Sequence, residues 1–232
     1  MGESTVVRIL EVADSDSLSV RVVGGLSFVE PTLAALALDA LDGLQIFDAL
    51  DLISLNHPPL NPDFPALIGQ VYNRQVASAL KLVLMNQYGD DHPTALVDAA
   101  GTERERVDSL PLYQIDRQPV SPLTSLYVAP LSKAGSFEGF QQTVAKLRAP
   151  DGCPWDREQT HKSLRTNLLE ESYEVLSVID AEDPEALREE LGDLLLQIVL
   201  HAQIAVEVGE FRMSDVIAGI NAKLKRRHPH VW

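Results

Sequence analysis

Two short acidic clusters stand inside otherwise apolar runs: Glu170-Glu171-Ser172-Tyr173-Glu174 and Glu189-Glu190-Leu191-Gly192-Asp193. Residues three and four apart share one face of a helix. Glu171 and Glu174 therefore project together, as do Glu190 and Asp193. Carboxylates brought this close repel one another unless a cation neutralises them. The pattern points to a divalent metal bound through oxygen, and so to chemistry on a phosphorylated substrate.

The elements that must hold these acids are helical. On the first, Leu164, Leu168, Glu171, Val175 and Val178 follow core spacing, with Asn167, Glu171 and Glu174 in the adjoining row. On the second, Leu187, Glu190, Leu194 and Gln197 form one row, flanked by Asp193. A carboxylate in a core row carries a heavy desolvation cost unless it is paired or metal-bound. Glu171, Glu174, Glu190 and Asp193 are therefore the candidate ligands. Glu170, Glu182, Glu185 and Glu189 suit a solvated face or a helix start, where the dipole favours acids. A di-iron bundle would place Glu-x-x-His on its helices. Positions 174 and 193 are Glu and Asp, so the donor set is all oxygen, which favours magnesium or manganese.

The pattern beyond Pro130 is helical. Helices are predicted over Phe137–Leu147, Thr160–Ile179, Pro184 to about Val208, and from a Ser214 cap to Arg227, with a loop at 150–154. Asp183 is the N-cap and Pro184 the first residue of the third of these helices. Short connections make a four-helix bundle the expected architecture. Before residue 131, strands are predicted at Ser19–Val23, Ala66–Val71, Thr94–Ala99 and Leu123–Val128, and helices at Pro31–Leu41 and Arg74–Asn86. The fold class is thus α+β, with an α/β layer over 1–131 and an all-α domain over 132–232.

Composition limits the functions open to this chain. Its 232 residues are 45% hydrophobic, in the range of a globular protein. No apolar stretch reaches the roughly 20 residues of a membrane span, and no signal peptide is read at the N-terminus. A net charge of −15 argues against a nucleic-acid surface. Cys153 is the single cysteine, which excludes an internal disulfide and fits a reducing cytoplasm. Lys223, Lys225, Arg226 and Arg227 nevertheless gather near the C-terminus, a local cationic patch suited to a small anion such as a triphosphate.

The acidic motifs, together with Gly152-Cys153-Pro154-Trp155-Asp156, Glu158-Gln159-Thr160, Glu190-Leu-Gly-Asp-Leu-Leu195 and Arg226-Arg-His-Pro-His-Val231, resemble the MazG nucleotide pyrophosphohydrolases over about residues 136–232. That resemblance implies hydrolysis of nucleoside triphosphates to monophosphate and pyrophosphate. It further implies magnesium held at Glu171, Glu174, Glu190 and Asp193, with Glu170 placed to position the attacking water. Asn167 and Gln197 become supports for the ligands, and a homodimer is expected. Trp155 is either a platform for the base or a plug for its loop. Asp156 with Gln159 also matches a capping box. Lys223, Arg226 and Arg227 could clamp the triphosphate or simply complement the dipole of their own helix. His201 reads as a satisfied core histidine.

Residues 1–131 resemble the C-terminal portion of a tetrapyrrole methylase. The resemblance rests on Gly24-Gly-Leu-Ser-Phe28, Gln70-Val-Tyr72, Ala99-Ala-Gly101, Pro111-Leu-Tyr113, Asp116-Arg117 and Leu123-Thr-Ser-Leu-Tyr127. The glycine-rich lobe of that family has no counterpart here, so S-adenosylmethionine-dependent methylation is not expected, although parts of a pocket could remain at Gln70–Tyr72 and Ala99–Gly101. Two rival functions follow: an inactive nucleotide-binding or interaction scaffold, and a remnant methyltransferase.

Overall fold

The computed structural model describes residues 9–14, 19, 20 and 27–232. Two compact units divide the chain: residues 1–60 with 64–129, and residues 61–63 with 130–232.

In the first unit, residues 9–14 are helical (α1). The other elements, in chain order, are α2 (Val29–Leu36), β1 (Gln45–Asp48), α3 (Ala49–Leu52), β2 (Ala66–Gly69), α4 (Arg74–Leu84), β3 (Pro93–Asp98), β4 (Arg106–Pro111) and β5 (Thr124–Val128). The strands form one mixed sheet in the order β1-β2-β5-β3-β4. Only β1 and β2 run parallel; Ile68 and Leu96 both face Leu126 across antiparallel ladders. Every residue of β2 is buried, as central strands require. The core gathers Leu67, Ile68, Leu80, Leu84, Leu96, Leu112, Ile115 and Leu126. Asn73 caps α4, its side chain accepting from the Val76 N–H at 2.9 Å.

The expected strands at 66–71, 94–99 and 123–128 and the helix at 74–86 are present within one or two residues. The Ser19–Val23 strand lies largely outside the described residues. The Pro31–Leu41 helix is corrected: α2 ends at Leu36 because Ala37 turns left-handed at φ 53°, and the amides that follow bond Ala34 and Leu33 carbonyls. A separate 3₁₀ turn, Ala40–Asp42, follows under an Asp39 cap. Strands β1 and β4 were not expected.

The second unit contains α5 (Phe137–Arg148), α6 (Pro154–Glu158), α7 (Arg165–Asp180), α8 (Pro184–Glu207) and α9 (Met213–Arg227). The four long helices read from the sequence are all present, with the short α6 added. Asp183 caps α8 through the Glu185 and Ala186 amides, each at 3.1 Å, with Pro184 next in the chain. Val144, Leu164, Val199, Leu200, Ala202, Ile204 and Met213 form the core, with Phe137, Phe140 and Leu196 packed against it.

Three expected starts shift. Thr160 and Ser163 exchange reciprocal side-chain to backbone hydrogen bonds at 2.9 and 3.1 Å, which closes a turn and delays α7 to Arg165. Helix α9 begins at Met213 rather than after Ser214, because the Asp215 carboxylate accepts from the Arg212 N–H at 2.8 Å. Asp156 starts no helix: α6 opens at Pro154 after Cys153, and the Gln159 amide turns back to the Trp155 carbonyl at 3.0 Å. Among the described residues, no helix is long and apolar enough to cross a membrane.

Candidate metal centre

Helices α7 and α8 pack side by side and bring the two acidic clusters together. Leu164 and Val175 are buried, and Glu171 sits half-buried between them in the same row, as the spacing requires. One carboxylate oxygen from each of Glu171, Glu174 and Glu190 lies within 4.8 Å of the other two. Asp193 stands near enough for its charge to act on both Glu171 and Glu190.

The electrostatics report the crowding. Glu171 is raised above the usual carboxylate range, first by loss of solvent, then by a hydrogen bond with Glu174 and by the charges of Glu174, Asp193 and Glu170. Glu190 is raised by loss of solvent and then by the charges of Glu174, Asp193 and Glu189. No lysine or arginine forms an ion pair with these acids among the described residues. An all-oxygen set in such proximity fits a hard divalent cation, which would relieve the repulsion that raises both groups. Glu170, Glu174 and Asp193 are exposed, which leaves the centre open to a ligand.

The remaining candidates are dispersed. Asn167 is half-buried one helical turn before Glu171. Gln197 is buried one turn beyond Asp193, and its Oε1 has no partner among the described residues. Trp155 is 56% exposed on α6. Lys223, Arg226 and Arg227 lie on the exposed end of α9, with no ion pair to them among the described residues.

Sequence reasoning missed two supports. Arg148, with a side chain only 5% exposed, forms a bidentate pair with Glu207 at 2.8 and 2.7 Å. Its other nitrogen donates to the Asp156 carbonyl and, at 3.2 Å, to the Gln159 carbonyl. One guanidinium thus fastens the Trp155 segment to the end of α8, and its bonds hold the Glu207 carboxyl below the usual range. Gly152 completes the turn: a Cβ there would come within 2.3 Å of the Leu147 carbonyl oxygen. The second support corrects the reading of His201. Its Nδ1 meets Nδ1 of His161 at 2.7 Å with the rings nearly parallel, while its Nε2 has no partner among the described residues. Burial, and then the neighbouring His161, lower the His201 pKa.

In the first unit a cavity of about 390 Å³ is lined by Phe28, Gln70, Ala99, Thr102 and Ser125 among others. Gln70 and Ala99 adopt left-handed backbones at φ 64° and 53°, an uncommon conformation outside glycine.

Residues 159–232 match the MazG nucleotide pyrophosphohydrolase domain, and the helical unit carries a domain of that family. The whole chain is 40% identical, over 241 residues, to an uncharacterized Bacillus subtilis protein, YabN, and covers 48% of it. A Thermotoga maritima nucleoside triphosphate pyrophosphohydrolase/pyrophosphatase MazG is 54% identical over 96 residues, which are 41% of this chain and 38% of that protein. An Escherichia coli nucleoside triphosphate pyrophosphohydrolase is 54% identical over 90 residues, 38% of this chain and 34% of that one. This chain therefore spans about half, or less, of the length of these relatives. Among solved structures, a uroporphyrin-III-C-methyltransferase from Thermus thermophilus aligns at a TM-score of 0.44 and 16% identity, over 53% of this chain and 56% of that one.

Proposed function

We propose that the helical domain over residues 132–232 hydrolyses nucleoside triphosphates to the monophosphate and pyrophosphate with magnesium, or manganese in its place. The observation that carries this reading is the convergence of Glu171, Glu174 and Glu190 within 4.8 Å, with Asp193 alongside. These four are the ligands. A bound divalent ion supplies charge neutralisation at the phosphates and a water of lowered pKa.

The chain's own residues provide the rest. Glu170 lies beside Glu171 on the open side and accepts a hydrogen bond from the attacking water, which orients it. Asn167 and Gln197 hold the carboxylates in place. Exposed Trp155 stacks on the base, which every base tolerates, and Asp156 fixes the segment that carries it. Lys223, Arg226 and Arg227 bind the triphosphate, the arginines by their bidentate geometry.

The domain acts as a homodimer in the cytoplasm, in a nucleotide-pool or house-cleaning role. Residues 1–131 form a methylase-like domain. Incubation with a panel of nucleoside triphosphates and magnesium should release monophosphate and pyrophosphate. Release of orthophosphate and diphosphate would contradict attack at the α-phosphorus. Wild type and Glu174→Gln that are equally inert would favour the scaffold. Calorimetric titration with S-adenosylmethionine should yield no binding heat; tight binding would reinstate the methyltransferase.

A further inference from the structure

Two histidines tie the turn ahead of α7 to α8, and their contact selects one protonation state. His161, in the turn closed by Thr160 and Ser163, and His201, on α8, place their Nδ1 atoms 2.7 Å apart. The ring planes are 6° from parallel and the centroids 5.1 Å apart. Nitrogens that close rule out rings stacked face to face, whose atoms stay at van der Waals separation. The rings lie end to end instead, each Nδ1 aimed at the other. One Nδ1 must then carry a proton and the other must be bare, because two donors or two lone pairs would repel.

The outer nitrogens decide which. His161 is partly exposed, and its Nε2 lies 3.9 Å from a carboxylate oxygen of Glu210 on the α8–α9 connection. The His201 Nε2 is buried and has no partner among the described residues. Gln197 Oε1, buried one turn earlier on α8, makes no bond to it. An N–H left unpaired in such a place costs the full loss of its hydration. In the neutral pair the outer proton therefore sits on His161, and His201 donates through its Nδ1–H to the bare Nδ1 of His161. A third proton has one position left that keeps the contact, the buried Nε2 of His201. A charged pair stays closed only by stranding that N–H.

The charged groups around the pair are few. His161 is the one titratable neighbour whose charge acts on His201, and burial comes before it in lowering the His201 pKa. From α5, Arg148 reaches the Gln159 carbonyl at the start of this turn but is spent on Glu207. Glu210 is thus the acid that faces a cationic His161.

We propose that the His161–His201 contact is a latch closed only while both rings are neutral, and that a proton taken up by the pair opens it and passes His161 to Glu210. The element it biases is the 159–164 turn, which leads into α7, the helix carrying Glu171 and Glu174. Each state has its partner within reach: Nδ1 of His201 in the closed form, the Glu210 carboxylate in the open one. The folded pair resists protonation, so its contribution to stability is whole above the ordinary histidine value of about 6.5 and is lost as pH falls below it. The latch is independent of any turnover at the carboxylates.

NMR of the full chain labelled with ¹⁵N-histidine reads the latch directly. The six histidines are assigned with the help of His161→Gln and His201→Phe. At about pH 7.5 His201 should be the Nδ1–H tautomer and His161 the Nε2–H tautomer, with a scalar coupling between the two Nδ1 atoms across the hydrogen bond. An Nε2–H tautomer at His201 would overturn the proposal. On acidification the coupling should vanish in step with protonation of His161. A coupling that survives in a protonated pair would overturn it equally. Glu210→Gln should shift that midpoint to lower pH by removing the partner of the open form, and an unmoved midpoint would refute the transfer to Glu210.

Stability gives a second readout. In denaturant unfolding, the stability of wild type relative to His201→Phe should fall between about pH 7.5 and about pH 5. Glu171, Glu190 and the other acids titrate in both proteins and cancel from the difference. A difference that stays constant between the two pH values would sink the proposal.

Discussion

The two units bury their apolar residues to different degrees, and the difference separates what stabilises each from what each does. In the first, β2 is wholly buried and α4 hides Val76, Ala77, Leu80, Val83 and Leu84. In the second, α7 buries only Val175 along 16 residues and α9 only Met213 along 15. Helices α7 and α9 leave apolar residues uncovered, and α7 with α8 crowds carboxylates against one another. A sheet unit that closes on itself gains its stability locally. A helical unit left open with mutually repelling acids is unsatisfied in two respects, which a cation and a partner would relieve.

The largest expected effect breaks that contrast at its acidic centre. Glu171→Gln or Glu174→Gln should lower pyrophosphate release by at least a hundredfold, since even residues behind a ligand commonly cost 10- to 100-fold. The metal-free Tm should hold or rise, because a repelled charge is gone; differential scanning calorimetry checks both halves of the statement. A fall in Tm would mean that these acids stabilise the fold.

Next comes Arg148→Ala, which strips the bidentate pair and the carbonyl bonds of the Trp155 segment. Glu207 is partly solvated, so the expected loss is about 2 kcal/mol of unfolding free energy rather than the larger cost of a fully buried pair. Denaturant unfolding would measure it, and the first unit should not respond.

Magnesium should stabilise only the helical unit, with a pH dependence set by Glu171 and Glu190. Both have raised pKa values in the folded state. Protonation therefore favours the metal-free fold as pH falls through their folded values, and the repulsion returns as pH rises above them. Protons compete with the ion for the same oxygens. The shift in Tm produced by magnesium should be larger at about pH 8 than at about pH 5. An equal shift at both would argue that the ion binds elsewhere.

The smallest effect is Asp63→Asn. The Asp63 carboxylate accepts from the Gly135 and Ser136 amides at 2.7 and 3.1 Å and from the Ser136 hydroxyl, and these bonds lower its pKa, with Ser136 the largest cause. Its contribution is present above the unfolded carboxylate pKa and is lost as pH falls through the lowered folded value. The variant should lose about 1 kcal/mol at neutral pH and show a flatter acid limb in chemical denaturation.

Legibility in the sequence followed how local each signal is. Asp183-Pro184 was readable because an N-cap and a first-turn proline act within three residues. The acids were readable because i,i+3 spacing fixes a shared face regardless of what packs there. Strands β1 and β4 escaped because they are the two edges of the sheet. An edge strand needs few apolar residues, and Arg106–Pro111 alternates half-buried and exposed positions with charged residues among them. Arg148 and Glu207 stand 59 residues apart, and His161 and His201 stand 40 apart. Such pairs exist only once the helices have docked, and no periodicity announces them.

The Asp63 bonds also bear on how this chain can be divided. Residues 61–63 belong to the helical unit although residues 64–129 of the other unit separate them from the rest of it. The Leu131 amide bonds the Pro62 carbonyl at 2.8 Å, and Ser136, the cap of α5, is held by Asp63. The helical unit is therefore discontinuous along the chain. A fragment that starts at residue 132 would keep every acid of the candidate centre yet begin α5 with a frayed first turn. Modular reuse of this domain carries a cost in cooperativity at its first helix, which a short graft supplying a carboxylate beside Ser136 would restore.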